Sequence, residues 1–324
     1  MNEKEILLEA IDVSQEFPTG KKGQAVHAVN HVSLTVFRGE TLALVGESGC
    51  GKTTLGRTLI RMLPAASGTV RFRGEDITHM PDKAFRALRP KLQMVFQDPY
   101  ASLDPRMTVR DIIAEPLETY HVCPTREETT RRVLSLMRDV GVPAEFINRY
   151  PHQFSGGQRQ RIGIARAMAL RPELIVCDEP VSALDVSVQS QVLNLLKDLQ
   201  QELQLTYLFI GHDLSVINFI ADRVCVMFLG GICEIADKDE LYARPLHPYT
   251  RFLLNAIPQP DPHLRDAERS IISGEIPSPV NLPFGCYFHT RCPYATDECS
   301  CVKPEPKDYG GGHVCACHHA GEME

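Results

Sequence analysis

The chain has 324 residues, of which 43% are hydrophobic and 23% charged, enough for one large α/β core and a smaller appendage. A formal net charge of −7 and a pI near 6.0 argue against a nucleic-acid-binding surface. No apolar run approaches the ~18–20 residues that span a bilayer. The opening Met1-Asn2-Glu3-Lys4-Glu5 carries no apolar secretory segment, so a cytoplasmic location is expected.

Taken in order, the elements begin with two stretches that alternate apolar and polar residues, Ile6 to Val13 and Val26 to Phe37. They read as strands joined through a turn region at Pro18-Thr19-Gly20. Thr41 to Val45 is a short apolar run that ends in glycines, and Leu55, Leu59 and Met62 then fall at helical spacing. Gly68 to Phe72 and Leu92 to Phe96 read as further strands. From Asp98 to about Leu170 the pattern is helical, with breaks expected at Pro99, Pro105, Pro116, Pro124, Pro143 and Pro151. Strands return at Leu174 to Cys177, Thr206 to Ile210 and Val224 to Phe228, with a helix over Val188 to Leu203. This alternation predicts a mostly parallel sheet covered by helices, with a helical insertion at about 98–170. After Ala236 the chain becomes rich in Pro, Gly, Cys and His. The expected division is therefore 1–235 and 236–324, with no internal repeat.

Gly46-Glu47-Ser48-Gly49-Cys50-Gly51-Lys52-Thr53, followed by Thr54, matches the phosphate-loop pattern and lies between a strand and a helix. Its glycines let the backbone curl so that N–H groups point at phosphates, and the helix start adds favourable dipole charge. Lys52 is expected at the β/γ-phosphates of ATP and the Thr53 hydroxyl on Mg²⁺. Leu174-Ile175-Val176-Cys177-Asp178-Glu179 supplies the matching acidic strand. Asp178 is placed to hold Mg²⁺, and Glu179 to polarise the attacking water.

With these residues in place, the chain resembles the nucleotide-binding subunits of ABC transporters, and the other motifs of that family follow in order. Gln97, at the end of a strand, matches the glutamine that senses Mg²⁺ and the transport partner. Ser155-Gly156-Gly157-Gln158 matches the signature, and Ser182-Ala183-Leu184-Asp185 the segment that crosses the dimer interface. His212 matches the switch histidine at the γ-phosphate. Phe17 matches the aromatic that stacks on adenine, although a strand-end core residue is an equal reading. The resemblance implies a P-loop (RecA-like) α/β fold with an antiparallel β subdomain, an inserted helical subdomain and a small Cys-rich extension. It also implies head-to-tail pairing, in which Ser155, Gly156, Gly157, Gln158 and Asp185 serve the ATP of the partner. A serine hydroxyl and glycine N–H groups at a helix start do make an anion site.

About a hundred residues separate Lys52 from Ser155, too few for the coiled-coil insertion of ABC-type DNA-repair proteins, and no second cassette of the translation-factor kind is present. Phe96-Gln97-Asp98-Pro99-Tyr100-Ala101-Ser102-Leu103-Asp104-Pro105, His247-Pro248-Tyr249-Thr250 and Leu253-Leu254-Asn255-Ala256-Ile257-Pro258 are similar to stretches of oligopeptide and dipeptide importer ATPases. They resemble the second ATPase of such importers more than the first. Importers of nickel and other small solutes share these stretches and are the alternative. The resemblance implies a peripheral subunit on the cytoplasmic face of the inner membrane. Its partners would be a second ABC ATPase of a different chain, two transmembrane permease subunits and an external peptide-binding protein, with no nucleic acid. The segment from Asp98 to Pro116 is expected to receive the membrane subunits, with Leu103 and Met107 as contact points.

The eleven cysteines divide unevenly: Cys50, Cys123, Cys177, Cys225 and Cys233 are scattered, and the other six follow residue 285. Cys286, Cys292 and Cys299 are spaced x5 and x6, and Cys317 closes the set. This resembles the C-terminal pattern of peptide-importer ATPases that carry a [4Fe–4S] cluster. Zn²⁺ is the alternative, because His289, His313, His318 and His319 lie among the thiols, and Cys301 and Cys315 are spare. Cys50 lies at a helix start, where a lowered thiol pKa would open it to oxidation. A small residue tolerated in the loop is the equal reading.

Overall fold

The computed structural model describes residues 4–21, 23–257 and 274–321. Pro258 of the importer-like stretch and Met1–Glu3 of the N-terminus lie outside them. The chain forms two compact units, one holding residues 80–210 and the other residues 5–79 and 211 onwards.

The second of these begins with β1 (Ile6–Pro18) and β2 (Ala25–Phe37), both longer than the alternating patterns suggest. They pair antiparallel through several register shifts, which let one bent ribbon keep its apolar side buried. β3 (Thr41–Val45) is buried at every position, as an apolar run without alternation requires. It delivers the chain to α1 (Lys52–Leu59), which ends before Met62 and leaves that residue exposed. β4 (Ser67–Phe72) and β5 (Glu75–Asp76) complete an antiparallel sheet of order β2-β1-β4-β5.

The unit of residues 80–210 opens with a short helix, α2 (Asp82–Phe85), and β6 (Leu92–Val95). Three helices follow: α3 (Val109–Thr119), α4 (Arg126–Asp139) and α5 (Gly156–Met168). Each starts on a hydroxyl that accepts from a backbone N–H: Thr108 from Asp111, Thr125 from Glu128, and Ser155 from Gln158. Pro116 does not break the chain as expected. It is buried inside α3, among Ile112, Ile113 and Leu117, where core packing outweighs the lost backbone hydrogen bond. β7 (Leu174–Asp178), α6 (Val186–Leu203) and β8 (Thr206–Gly211) complete the unit, with β6, β7 and β8 paired parallel in the order β8-β7-β6.

The chain then returns to the unit that holds β1 to β5 through α7 (Leu214–Ile220) and β9 (Arg223–Phe228), which pairs parallel with β3. Leu229 and Gly230 both take positive φ, as a two-residue hairpin demands, and turn the chain into β10 (Gly231–Asp237). Composition alone gave no strand here. β10 runs across residues 235 and 236, where the character of the sequence changes. Beyond it lie α8 (Lys238–Ala243), α9 (Pro248–Asn255), α10 (Asp297–Cys301), β11 (Lys307–Asp308) and β12 (Val314–Cys315). β12 pairs with β10, so the tail extends this sheet in the order β11-β12-β10-β9-β3.

The tail is fastened by a buried carboxylate. Glu234 on β10 is fully buried and accepts from the backbone N–H of Leu246 (2.7 Å) and His247 (3.0 Å), and from His313 Nε2 (2.7 Å). Burial alone would raise the pKa of Glu234, but these donors outweigh it and hold the carboxyl below its usual range. The hydrogen bond to Glu234 in turn raises His313 above 6.5, with Glu240 also facing the ring. A raised histidine adds stability that is complete below its unfolded value and is lost as pH rises through its folded one. His313→Ala is therefore expected to destabilise the chain by on the order of 3 kcal/mol at pH 6, and by less at pH 9. Thermal unfolding of both proteins across that range checks this. A gap independent of pH would remove the ion pair as its cause.

Candidate nucleotide site and cysteine-lined tail

The loop between β3 and α1 can form only because two of its residues lack a side chain. A Cβ on Gly46 (φ 152°) would lie 2.1 Å from the Met227 carbonyl oxygen, and one on Gly51 (φ 102°) 1.9 Å from that of Ala28. Both obstacles are backbone, so neither can rotate away. Gly49 also takes positive φ, yet a Cβ there would meet nothing within 4 Å. Gly51 sits at the start of α1 in the left-handed region, leaving Lys52 as the first helical residue. Lys52 is buried, and its Nζ donates to the carbonyl oxygens of Gly46 (2.8 Å) and Glu47 (2.9 Å). The ammonium thus lies folded over the loop whose N–H groups would cradle a phosphate. Ser48, Thr53 and Thr54 are all at least partly accessible.

Of the two readings of Cys50, burial favours the small residue tolerated in the loop. Its thiol is buried, and that burial raises its pKa, only partly opposed by the charge of Lys52 3.7 Å away. A helix start does not generate a thiolate here, because desolvation outweighs it. In the same unit, Phe17 lies at the end of β1, about one third exposed and paired with Val26 in the ribbon. His212 is exposed and immediately precedes Asp213, which caps α7 by accepting from Ser215 and Val216 N–H.

In the unit of residues 80–210, β7 carries Asp178 to its buried end. Glu179 follows with φ 43°, a left-handed conformation that costs a non-glycine residue about 1–3 kcal/mol. Its backbone N–H is held by the Ile210 carbonyl (3.0 Å), and its carboxylate accepts from Gln97 Nε2 (2.8 Å). The structure therefore brings Gln97 and Glu179 together across 82 residues of sequence. Ser155 and Gln158 cap each other: the Ser155 hydroxyl accepts from Gln158 N–H, and the Gln158 side chain from Ser155 N–H. Gly157 is buried where a Cβ would approach Val188 of α6 to 2.3 Å, and a Cβ on Gly156 would touch Leu184 at 3.2 Å. Asp185 is exposed at the start of α6.

The segment after Gln97 is tied to the helix that Ser155 caps. The guanidinium of Arg159 stacks 3.6 Å from the centre of the Tyr100 ring, and Arg166 donates to the Ser102 carbonyl (2.6 Å). Leu103, expected as a contact point, is buried in the core, whereas Met107, the other, is partly exposed and Tyr100 is the large apolar residue of the segment most open to solvent.

Of the six tail cysteines, Cys286, Cys292, Cys299 and Cys317 line one small pocket, together with Phe288, Tyr294 and histidines. Cys315 is buried with Leu246 and Ala320 instead, and Cys301 is exposed. Burial pushes Cys286, Cys292 and Cys317 up to about 11. Among the described residues, no group of three or more His, Cys, Asp or Glu is arranged to hold a metal ion. No helix among them is long and apolar enough to cross a membrane.

The sequence matches the family model of the ABC transporter over residues 29–182 and that of the oligopeptide/dipeptide transporter C-terminal region over 233–299. It is 53% identical to the putative oligopeptide transport ATP-binding protein YkfD of Bacillus subtilis, over 96% of this chain and 95% of that one. It is 51% identical to the oligopeptide transport ATP-binding protein OppF of Escherichia coli, over 93% and 92%. The chain belongs to the ABC transporter ATPases. Its fold agrees with that assignment: the ATP-binding cassette MJ0796, solved as a dimer in a post-hydrolysis state bound to ADP and Pi, superposes with a TM-score of 0.66. The two are 28% identical over 72% of this chain and 99% of that one.

Within this ABC ATPase, the first family match spans the phosphate loop, Gln97, the Ser155 turn, Asp178 and Glu179, and stops before His212. Two residues that bear on the loop carry no sequence signal of that role. Arg291 and Tyr249 lie far along the chain, and only the His247-Pro248-Tyr249-Thr250 stretch hints at one of them. The glycine contacts give a direct test of the loop's packing. Gly49→Ala is expected to cost about 1–2 kcal/mol through backbone strain alone. Gly51→Ala adds the collision with Ala28 and is expected to cost more. Denaturant unfolding compares the two; equal losses would mean that the Ala28 carbonyl is not limiting.

Proposed function

We propose that this ABC ATPase hydrolyses ATP to energise the import of oligopeptides or dipeptides through a membrane complex. The observation that carries this is similarity over almost the whole chain to oligopeptide transport ATP-binding proteins, together with the match to the oligopeptide/dipeptide transporter C-terminal region. In this reading the chain is a peripheral subunit on the cytoplasmic face of the inner membrane. It works with a second ATPase, two permease subunits and an external binding protein. Residues 1–235 act as the ATPase domain and 236–324 as the importer-type extension. The exposed Tyr100 end of the segment after Gln97 faces the permease.

The site residues take the following roles. Phe17 stacks on adenine, and the loop Gly46, Ser48, Gly49, Cys50, Gly51, Lys52, Thr53 and Thr54 holds the phosphates. On binding, Lys52 exchanges its two loop carbonyls for phosphate oxygens. The Thr53 hydroxyl, Gln97 amide and Asp178 carboxylate are hard oxygen donors that suit Mg²⁺, which when bound neutralises charge on the phosphates. Glu179 polarises the attacking water, and its strained backbone and bond from Gln97 support a positioned rather than a freely rotating carboxylate. His212 contacts the γ-phosphate. Ser155, Gly156, Gly157, Gln158 and Asp185 complete the ATP site of the partner.

We further infer that Cys286, Cys292, Cys299 and Cys317 hold a [4Fe–4S] cluster. Four thiols line one pocket, and four thiolates are the ligand set of such a cluster. Zn²⁺, which thiolates hold at about 2.3 Å, is the alternative for the same residues. Protein purified anaerobically is expected to be brown and to absorb broadly near 400 nm; a colourless protein with stoichiometric zinc would exclude the cluster.

The decisive experiment reconstitutes the chain with its permease subunits. ATPase activity should rise on adding peptide-loaded binding protein, and Glu179→Gln should abolish turnover while retaining bound ATP. Stimulation by nickel-loaded protein or by ribosomes would redirect the function. Unchanged hydrolysis in Glu179→Gln would remove that residue from catalysis.

A further inference from the structure

Glu47, the second residue of the phosphate loop, is held at three points. Its carbonyl accepts from Lys52 within the loop. Its other two groups are held by residues more than 200 positions away. The backbone N–H donates to the Tyr249 hydroxyl (2.9 Å), and the carboxylate takes a two-pronged bond from Arg291, with Nη1 2.9 Å from Oε2 and Nη2 3.2 Å from Oε1. Paired hydrogen bonds of this kind fix orientation as well as distance.

Neither partner is free to move. Tyr249, at the start of α9, is fully buried against Phe228 (4.8 Å between ring centres) and Phe288 (5.3 Å). Arg291 is 7% exposed and belongs to the short turn His289–Arg291, directly between Phe288 and Cys292. That turn forms one wall of the cysteine-lined cavity, to which Phe288, His289 and Cys292 all contribute. One short segment of the tail therefore borders the pocket on one side and holds the phosphate loop on the other.

We propose that Arg291 and Tyr249 are positioning residues for the phosphate loop, so that the C-terminal extension sets the affinity of this chain for ATP. The proposal rests on the loop being the ATP site. Fixing Glu47 fixes the carbonyl that holds Lys52 and the first peptide of the phosphate cradle. If the Tyr249 or the Arg291 hydrogen bond is removed, the loop must be ordered when ATP binds, and that cost falls on affinity rather than on turnover.

The test measures binding of a fluorescent ATP analogue to the full chain and the steady-state KM and kcat of the reconstituted complex, alongside thermal unfolding of the chain. Tyr249→Phe, Arg291→Lys and Arg291→Gln are each expected to raise Kd and KM for ATP about 5- to 20-fold, with kcat within about two-fold of wild type. Arg291→Lys keeps the charge but not the fork and tells geometry from charge. Glu47→Gln should weaken ATP binding like Arg291→Gln, and the double variant should be no worse than either single one. Folded variants with unchanged Kd, or strictly additive losses, would overturn the proposal and leave the tail with a role in stability alone. Failure of wild type itself to bind the analogue would instead overturn the ATP-site reading.

Discussion

Close approach of backbone to backbone is the constraint on which the rest of the site depends. The phosphate loop passes so near the carbonyls of Ala28 and Met227 that a methyl group at Gly46 or Gly51 has no room. These two carbonyls belong to β2 and to β9, so the loop's shape is imposed by one strand of each sheet in its unit. Everything the loop presents follows from that wedge, from the start of α1 at Lys52 to the buried thiol of Cys50. A phosphate-binding loop is often described through its glycines' freedom to turn. In this chain the glycines matter as much for the space they leave empty.

Much of this was legible in the sequence, for identifiable reasons. β3, β7 and β8 are short apolar runs bounded by glycine, acid or polar residues, and buried parallel strands have that signature. The loop and the Ser155 turn have fixed spacings that local geometry demands. The Gln97–Glu179 pair could be guessed only through family likeness, since no periodicity links residues 82 apart. Other features carried no readable signal. β10 was hidden by a change of composition within it, and β11 and β12 are two residues each, too short for alternation. Pro116 reads as a helix breaker because its cost is local, while the burial that offsets it is tertiary. Cys50 belies its helix start in the same way, since sequence cannot count the neighbours that exclude water from the thiol.

The tail is built on a different principle from the cassette it follows. It has few long elements and relies on polar and aromatic fasteners: Glu234 with His313, Tyr249 and Arg291 with Glu47, and Phe288 among its neighbouring rings. A buried carboxylate with three donors contributes little net stability compared with an apolar core of equal size. What it does supply is geometry, because the three donors fix where β10, the Leu246–His247 peptide and His313 meet. Phe288 is both one of these fasteners and, with the four thiols, part of the lining of one pocket.

Pairing of β12 with β10 also settles what becomes of a sheet edge. Without the tail, β10 would present its unpaired N–H and C=O groups as a template for any extended chain nearby. Two residues of β12 cover part of that edge, and the outermost strand is the equally short, exposed and charged Lys307–Asp308. Such a stub offers too few hydrogen bonds for another strand to add on. The extension thus also closes this edge of the sheet against strand addition.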